Sequence, residues 1–90
     1  MKKHEEKEYL VVYTRWIRDS TQSGETLVGT SGRKKEANGM AKSNFHSHLE
    51  MLITHKYPFY DYEIDMENLS IALSDEFGIW YFAKFFVLEV

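Results

Sequence analysis

The 90-residue sequence predicts a single α+β domain, in which one helix packs on an antiparallel sheet of four or five strands. Segments rich in β-branched and aromatic residues occur on both sides of one long segment with helical periodicity. A further segment alternates strictly between apolar and acidic side chains. The predicted order is β-β-α-β-β-β over residues 1–90, and residues 1–7 are expected to form a flexible charged N-terminus.

The first strand is predicted over residues 8–18, and residues 25–30 are predicted to return as a short second strand. The first strand is largely apolar on both faces, which is typical of a central strand or of one that meets a partner. One face carries Leu10, Val12, Thr14 and Trp16, and the other carries Tyr9, Val11, Tyr13 and Arg15.

A helix is predicted over residues 33–55, because the apolar side chains there recur with the helical period. Ser31 or Thr30 suits the N-cap, and Glu36 suits the first turn. The stripe expected to face the sheet contains Ala37, Ala41, Phe45, His48, Leu49 and Leu52. Within it, we expect His48 to be a half-buried histidine that is hydrogen-bonded near the sheet.

Three strands are predicted after the helix, over residues 59–67, 69–74 and 79–90. In the last strand, the pattern places Trp80 and Phe82 on one face and Tyr81 and Phe85 on the other. The expected core is Leu10, Val12, Trp16, Phe45, Leu49, Leu52, Ile64, Ile71, Phe82 and Phe86.

Composition and motifs argue against an enzyme. Cysteine is absent, which excludes a disulfide framework, thiolate metal sites and a cysteine nucleophile. The chain has no Gly-x-Ser-x-Gly motif, and two residues separate Gly29 from Gly32 where a phosphate-binding Walker loop needs four. The helix offers pairs of metal ligands, such as His46 with Glu50, where zinc needs three or four. We therefore expect a non-enzymatic protein without cofactor or metal.

The location predicted from the sequence is the cytoplasm, without membrane contact. The charged N-terminus is not followed by the apolar segment of a secretory signal. The longest apolar runs, residues 9–13 and 79–83, are far shorter than the roughly 20 residues that span a bilayer.

Charge is distributed unevenly along the chain. Residues 1–56 carry a net charge of +3, whereas residues 57–90 carry −6. The most specific feature is a run of outward carboxylates in the third predicted strand: Asp61, Glu63, Asp65 and Glu67. Such a row either guards a sheet edge against aggregation or binds a basic partner. The leading functional prediction is a protein-binding module that uses these four residues against a basic, nucleic-acid-handling protein.

The alternative prediction is a single-stranded nucleic-acid-binding protein. Aromatic and arginine side chains on an open sheet face can stack with bases, and a basic loop can contact phosphates. The residues assigned to this role are Tyr9, Tyr13, Arg15, Arg33, Lys34 and Lys35. With one helix, one sheet face lacks cover inside the monomer, and a homodimer that buries this face is also predicted.

In its overall profile, the sequence resembles small inhibitor proteins carried by phages and mobile elements. The resemblance lies in the short chain, the missing cysteines, the high aromatic content and the acidic strand. It implies inhibition of a nucleic-acid-handling protein by a surface that imitates the charge of a nucleic-acid backbone.

Overall fold

A computed structural model describes residues 7–21, 23–55 and 61–90. The elements are β1 (Tyr9–Ile17), β2 (Gly24–Ser31), α1 (Lys34–His55), β3 (Asp61–Asp65), β4 (Ser70–Asp75) and β5 (Gly78–Glu89). This order confirms the predicted α+β fold with one helix and a five-stranded sheet. The predicted flexible N-terminus, apart from Lys7, lies outside the described residues, as do positions 59 and 60 of the predicted third strand.

The sheet has the order β2-β1-β5-β4-β3, and all neighbouring strands are antiparallel. The central strand β5 pairs with all of β1, from Tyr9↔Glu89 to Ile17↔Tyr81. The shorter β4 pairs with β5 only as far as Ser70↔Lys84. The outermost strands are therefore β2 on one side and the acidic β3 on the other.

A hydrogen-bonded turn precedes helix α1. The Ser31 hydroxyl accepts a hydrogen bond from the Arg33 backbone N–H at 3.1 Å and lies 2.6 Å from the Glu36 carboxylate. The Ala37 N–H donates to the Arg33 carbonyl at 3.0 Å. The Arg33 carbonyl accepts the first helical bond, so Arg33 is the N-cap residue and the prediction of Ser31 or Thr30 at that position is wrong. The Ser31 side chain instead satisfies a backbone donor that precedes the helix.

The core lies between α1 and one face of the sheet. The predicted helical stripe is confirmed, since Ala37, Ala41, Phe45, Leu49 and Leu52 are buried. The fully buried Phe45 meets the Phe85 ring edge-on, with 6.3 Å between ring centroids. The sheet residues buried in the same cluster are Tyr9, Val11, Ile71, Leu73, Tyr81, Ala83 and Phe85.

The sequence-based prediction assigned the wrong face of β1 and β5 to the core. Of the predicted core, Val12, Phe45, Leu49, Leu52 and Ile71 are buried, whereas Trp16 is 44% exposed. Ile64 is 36% exposed for another reason, because it lies opposite Ile71 on the covered side but on the outermost strand β3. Leu10, Phe82 and Phe86 are half-buried on the sheet face opposite α1. Both faces of these strands are apolar, so their alternation does not identify the side that the helix covers. The covered face has Ala83 at its centre, where a helix can approach closely, whereas the opposite face has Lys84.

Trp80 also departs from its predicted place. The register between β4 and β5 shifts between Leu73↔Tyr81 and Ser74↔Ile79, which leaves Trp80 as the extra residue of a β-bulge. Trp80 packs against the core cluster instead of continuing the alternation with Phe82 on the opposite face. The prediction that grouped Trp80 with Phe82 is therefore wrong.

Two adjacent phenylalanines test which face is the core. We expect Phe85→Ala to lower the free energy of unfolding by about 3–5 kcal/mol, because it opens a cavity beneath α1. Phe86→Ala should cost roughly 1–2 kcal/mol, because Phe86 is only partly buried. Urea unfolding of both variants measures the difference. Equal costs, or a larger cost at Phe86, would contradict the assignment.

Candidate functional site

The sheet face opposite α1, here called the open face, carries a series of apolar cross-strand pairs. Directly opposed residues lie on the same face of an antiparallel sheet. The register opposes Leu10 to Leu88, Val12 to Phe86 and Trp16 to Phe82. On β2, Leu27 opposes Val12 and is 57% exposed. No helix of the described residues covers this side, and its large apolar side chains reach solvent.

One polar row crosses the apolar pairs. Lys84 of β5 opposes Thr14 of β1 and Ser70 of β4, and Asp65 of β3 opposes Ser70. The Lys84 ammonium contributes to lowering the pKa of the Asp65 carboxyl, after the larger contribution of hydrogen bonds from Asn68. The row divides the open face into a patch around Phe82 and a patch around Phe86.

Carboxylates border the open face along β3. The register places Asp61 opposite Ser74, Glu63 opposite Ala72 and Asp65 opposite Ser70, so all three belong to the open face. We call these three residues the acidic rim. A groove of about 420 Å³ runs between the rim and the centre of the face, lined by Glu63, Ile64, Asp65, Met66, Ser70, Ala72 and Phe82. Carboxylates and an aromatic ring thus share one concave surface.

Glu67, the fourth predicted member of the acidic row, is not on the strand. β3 ends at Asp65, and residues 66–69 form the turn into β4. The Asp65 carboxylate accepts hydrogen bonds from the Glu67 and Asn68 backbone N–H groups, each at 3.0 Å, and from the Asn68 side chain at 2.8 Å. These bonds start the turn earlier than the alternation predicted. Asp65 therefore also has a structural role in this turn.

The residues assigned to nucleic-acid binding lie on two different parts of the molecule. Tyr9 is buried beneath α1, and Tyr13 faces the same covered side. The expectation that Tyr9, Tyr13 and Arg15 form an open stacking platform is therefore wrong, because α1 covers the sheet face that they share. Nucleic-acid binding as a function remains a prediction.

The basic loop is distant from Arg15. Arg33, Lys34 and Lys35 are exposed at the start of α1. Arg15 faces the other end of the helix, where it lines a cavity with His48. His48 follows Arg33 by about 15 positions, which corresponds to about 22 Å along the helix. The structure does not combine the two cationic groups into one surface.

His48 is half-buried, as predicted, and its imidazole Nε2 lies 2.5 Å from the Tyr81 hydroxyl. The Tyr81 hydroxyl is also 3.2 Å from the Tyr13 hydroxyl, so three polar side chains form a chain beneath the C-terminal half of α1. Burial, followed by the charge of Arg15, lowers the pKa of His48. The sequence indicated the histidine but not its partner, although Tyr81 is a polar residue that alternates with the apolar Ala83, Phe85 and Val87 along its strand.

Within residues 7–21, 23–55 and 61–90, no three His, Asp or Glu side chains come close enough together to hold a metal ion. In the same part of the chain, no helix combines the length and the apolar character that crossing a bilayer requires.

The lowered pKa of His48 predicts a pH dependence of stability. Above about pH 6.5, its imidazole is neutral in both the folded and the unfolded chain. Below that pH, the unfolded chain takes up a proton that the folded chain does not, so the free energy of unfolding should fall until the pH passes the lowered pKa of the folded state.

Urea unfolding between about pH 7 and pH 5 measures this loss of stability. His48→Gln retains a hydrogen-bonding group and should flatten the pH dependence. His46→Gln changes an exposed imidazole on the same helix and serves as the control, which should keep the wild-type slope. The assignment is wrong if the His48 variant also keeps it.

No protein-family model matches the chain, and neither a curated protein nor a solved structure is significantly similar to it.

Proposed function

We propose that the protein is a non-enzymatic binding module that docks a basic protein partner on the open face. One row of the sheet register carries this proposal. Glu63 opposes Ala72, Ala72 opposes Phe82, and Phe82 opposes Trp16. A carboxylate, a small residue and two large aromatic side chains therefore stand side by side across four strands.

The apolar part of the open face supplies the binding energy. Trp16 is 44% exposed and Leu88 is 45% exposed, while Phe82 and Phe86 are half-buried. Protein interfaces commonly have an apolar, aromatic centre surrounded by a polar rim, and tryptophan is among the residues that contribute most. A partner that covers this face removes large apolar side chains from water.

The charge of the open face favours a basic partner. Its carboxylates are the three of the acidic rim and Glu25, which opposes Thr14, and they outnumber the ammonium group of Lys84 among the described residues. Proteins that handle nucleic acids carry basic surfaces for phosphate contacts, and an acidic rim can compete for such a surface. Inhibition of a nucleic-acid-handling protein is the activity that we infer from this charge.

A second copy of the chain is the other occupant predicted from the sequence. Two open faces placed against each other would bring two acidic surfaces into one interface, where like charges repel. The basic partner therefore fits this face better than a second copy does. The homodimer stays a prediction, and light scattering at micromolar concentration measures it.

The edge-guarding explanation of the carboxylates is also consistent with the fold, since β3 is an outermost strand. The two explanations differ in what the charges do for binding. If the carboxylates only protect the sheet edge, they prevent self-association of the protein. If they bind a partner, they select that partner and accelerate its association. Changing the sign of one rim charge separates them.

The test is Glu63→Lys, with Glu50→Lys as the matched control. Both side chains are exposed carboxylates, but Glu50 lies on α1, away from the open face. The immobilised proteins are used to capture partners from a cell extract at low salt, and circular dichroism verifies the fold. We expect the wild type and Glu50→Lys to retain the same proteins, and Glu63→Lys to lose them.

Kinetics of a captured protein provide the second measurement. Added salt should slow association more than it accelerates dissociation, because the rim acts by long-range attraction. If Glu63→Lys binds the same proteins as Glu50→Lys, the acidic rim has no part in binding and the carboxylates only guard the edge.

A further inference from the structure

A cavity of about 480 Å³ lies on the other side of the sheet, between the C-terminal half of α1 and the strands β1 and β5. This volume is within the range of small-molecule sites, roughly 300–1,000 Å³. Its described lining residues are Tyr13, Arg15, Ile17, His48, Met51, Leu52, Trp80 and Tyr81. It therefore combines apolar walls, aromatic rings and a small set of polar groups, as ligand sites do.

The polar groups of the cavity are held in place by one another. The Tyr81 hydroxyl lies 3.2 Å from the Tyr13 hydroxyl and 2.5 Å from His48 Nε2. The Tyr13 ring stacks on Phe85 with 4.8 Å between centroids, and the His48 and Tyr81 rings lie nearly parallel, 6.0 Å apart. A ligand would meet a preorganised wall, which lowers the entropic cost of binding.

The described wall of the cavity carries a positive charge. Arg15 is the charged side chain among the described lining residues, which include no carboxylate. Its guanidinium is close enough to His48 to contribute to lowering the pKa of that imidazole, so His48 is neutral at pH 7 and can donate or accept a hydrogen bond. A guanidinium in a partly buried site attracts anions more strongly than one in water.

Trp80 supplies the aromatic wall. Trp80 is the extra residue of the β-bulge in β5, so its side chain does not follow the alternation of that strand. It lines the cavity beside Tyr81, and the centroids of the two rings are 5.8 Å apart. Indole and phenol rings stack on flat aromatic ligands. The bulge thus brings an aromatic surface to the same cavity as the guanidinium.

We propose that this cavity binds a small planar anion, with its aromatic ring against Trp80 and Tyr13 and its carboxylate or phosphate group at Arg15. The hydroxyls of Tyr13 and Tyr81 and the His48 imidazole offer further hydrogen bonds to the anionic group. The volume fits one ring system, so a mononucleotide or an aromatic carboxylate suits the site and a stacked strand does not. The proposal is independent of the open face, which lies across the sheet.

Two anions and their uncharged counterparts serve as probes: indole-3-acetate against indole, and adenosine monophosphate against adenosine. Binding is followed by the nuclear magnetic resonance signals of the His48 imidazole and by Trp80 fluorescence in a Trp16→Phe background. We expect saturable binding of at least one anion, with its uncharged counterpart about tenfold weaker or more, because a charge-assisted hydrogen bond is lost. The proposal is overturned if neither anion binds at about 5 mM, or if the uncharged compounds bind equally well.

Variants assign the binding to the cavity. Arg15→Gln should weaken anion binding about tenfold or more, whereas Lys84→Gln removes the same charge from the open face and should leave it unchanged. Tyr13→Phe keeps the ring and removes one hydroxyl, so a severalfold loss is expected even if Arg15→Gln fails to fold. Equal affinity in Tyr13→Phe and in a folded Arg15→Gln would refute the site. Glu63→Lys should retain the ligand, which separates this result from the proposed protein binding.

Discussion

The whole arrangement depends on a limit of size: one helix cannot cover a five-stranded sheet. Strands lie about 4.8 Å apart, so the outermost strands of this sheet are roughly 19 Å from each other, whereas a helix with its side chains is about 10–12 Å wide. Helix α1 packs on β5, β1 and β2. It leaves β3 outside its reach, so Tyr62 is 56% exposed although it shares the covered side with Leu73. It also leaves the entire open face without a helix among the described residues.

Because one helix covers only one side of the sheet, the polar groups on the two sides lie in different environments. Beneath the helix, a polar chain from Tyr13 through Tyr81 to His48 lines a cavity with apolar walls, and burial lowers the pKa of the imidazole. On the open face, carboxylates and aromatic side chains both remain in contact with water. The first environment suits a small ligand that needs fixed hydrogen bonds, and the second suits a large partner that can be attracted from a distance. The same sheet offers both without any change of backbone.

Sequence reasoning predicted the elements of this fold but not the orientation of its central strands. The helical stripe around Phe45 was predictable because polar residues surround it, so its period is unambiguous. The strands β1 and β5 have apolar residues on both faces, so alternation alone does not indicate which face the helix covers. Lys84 could have indicated the exposed face of β5, because a lysine in the middle of a strand is seldom buried in a core. The acidic row was predictable as a pattern, but its end was decided by the side-chain bonds of Asp65, a local turn that periodicity does not detect.

The β-bulge that displaces Trp80 makes this part of the protein sensitive to chain length as well as to residue type. Side chains of a strand alternate with a period of two, so removing one residue at the bulge would restore regular pairing and send the indole to the opposite surface. Such a deletion would preserve the helix and the strand order. It would nevertheless move one large aromatic group from the cavity wall to the solvent side. In homologous chains of different length, the presence of this single extra residue is therefore a better marker of the cavity than the tryptophan itself.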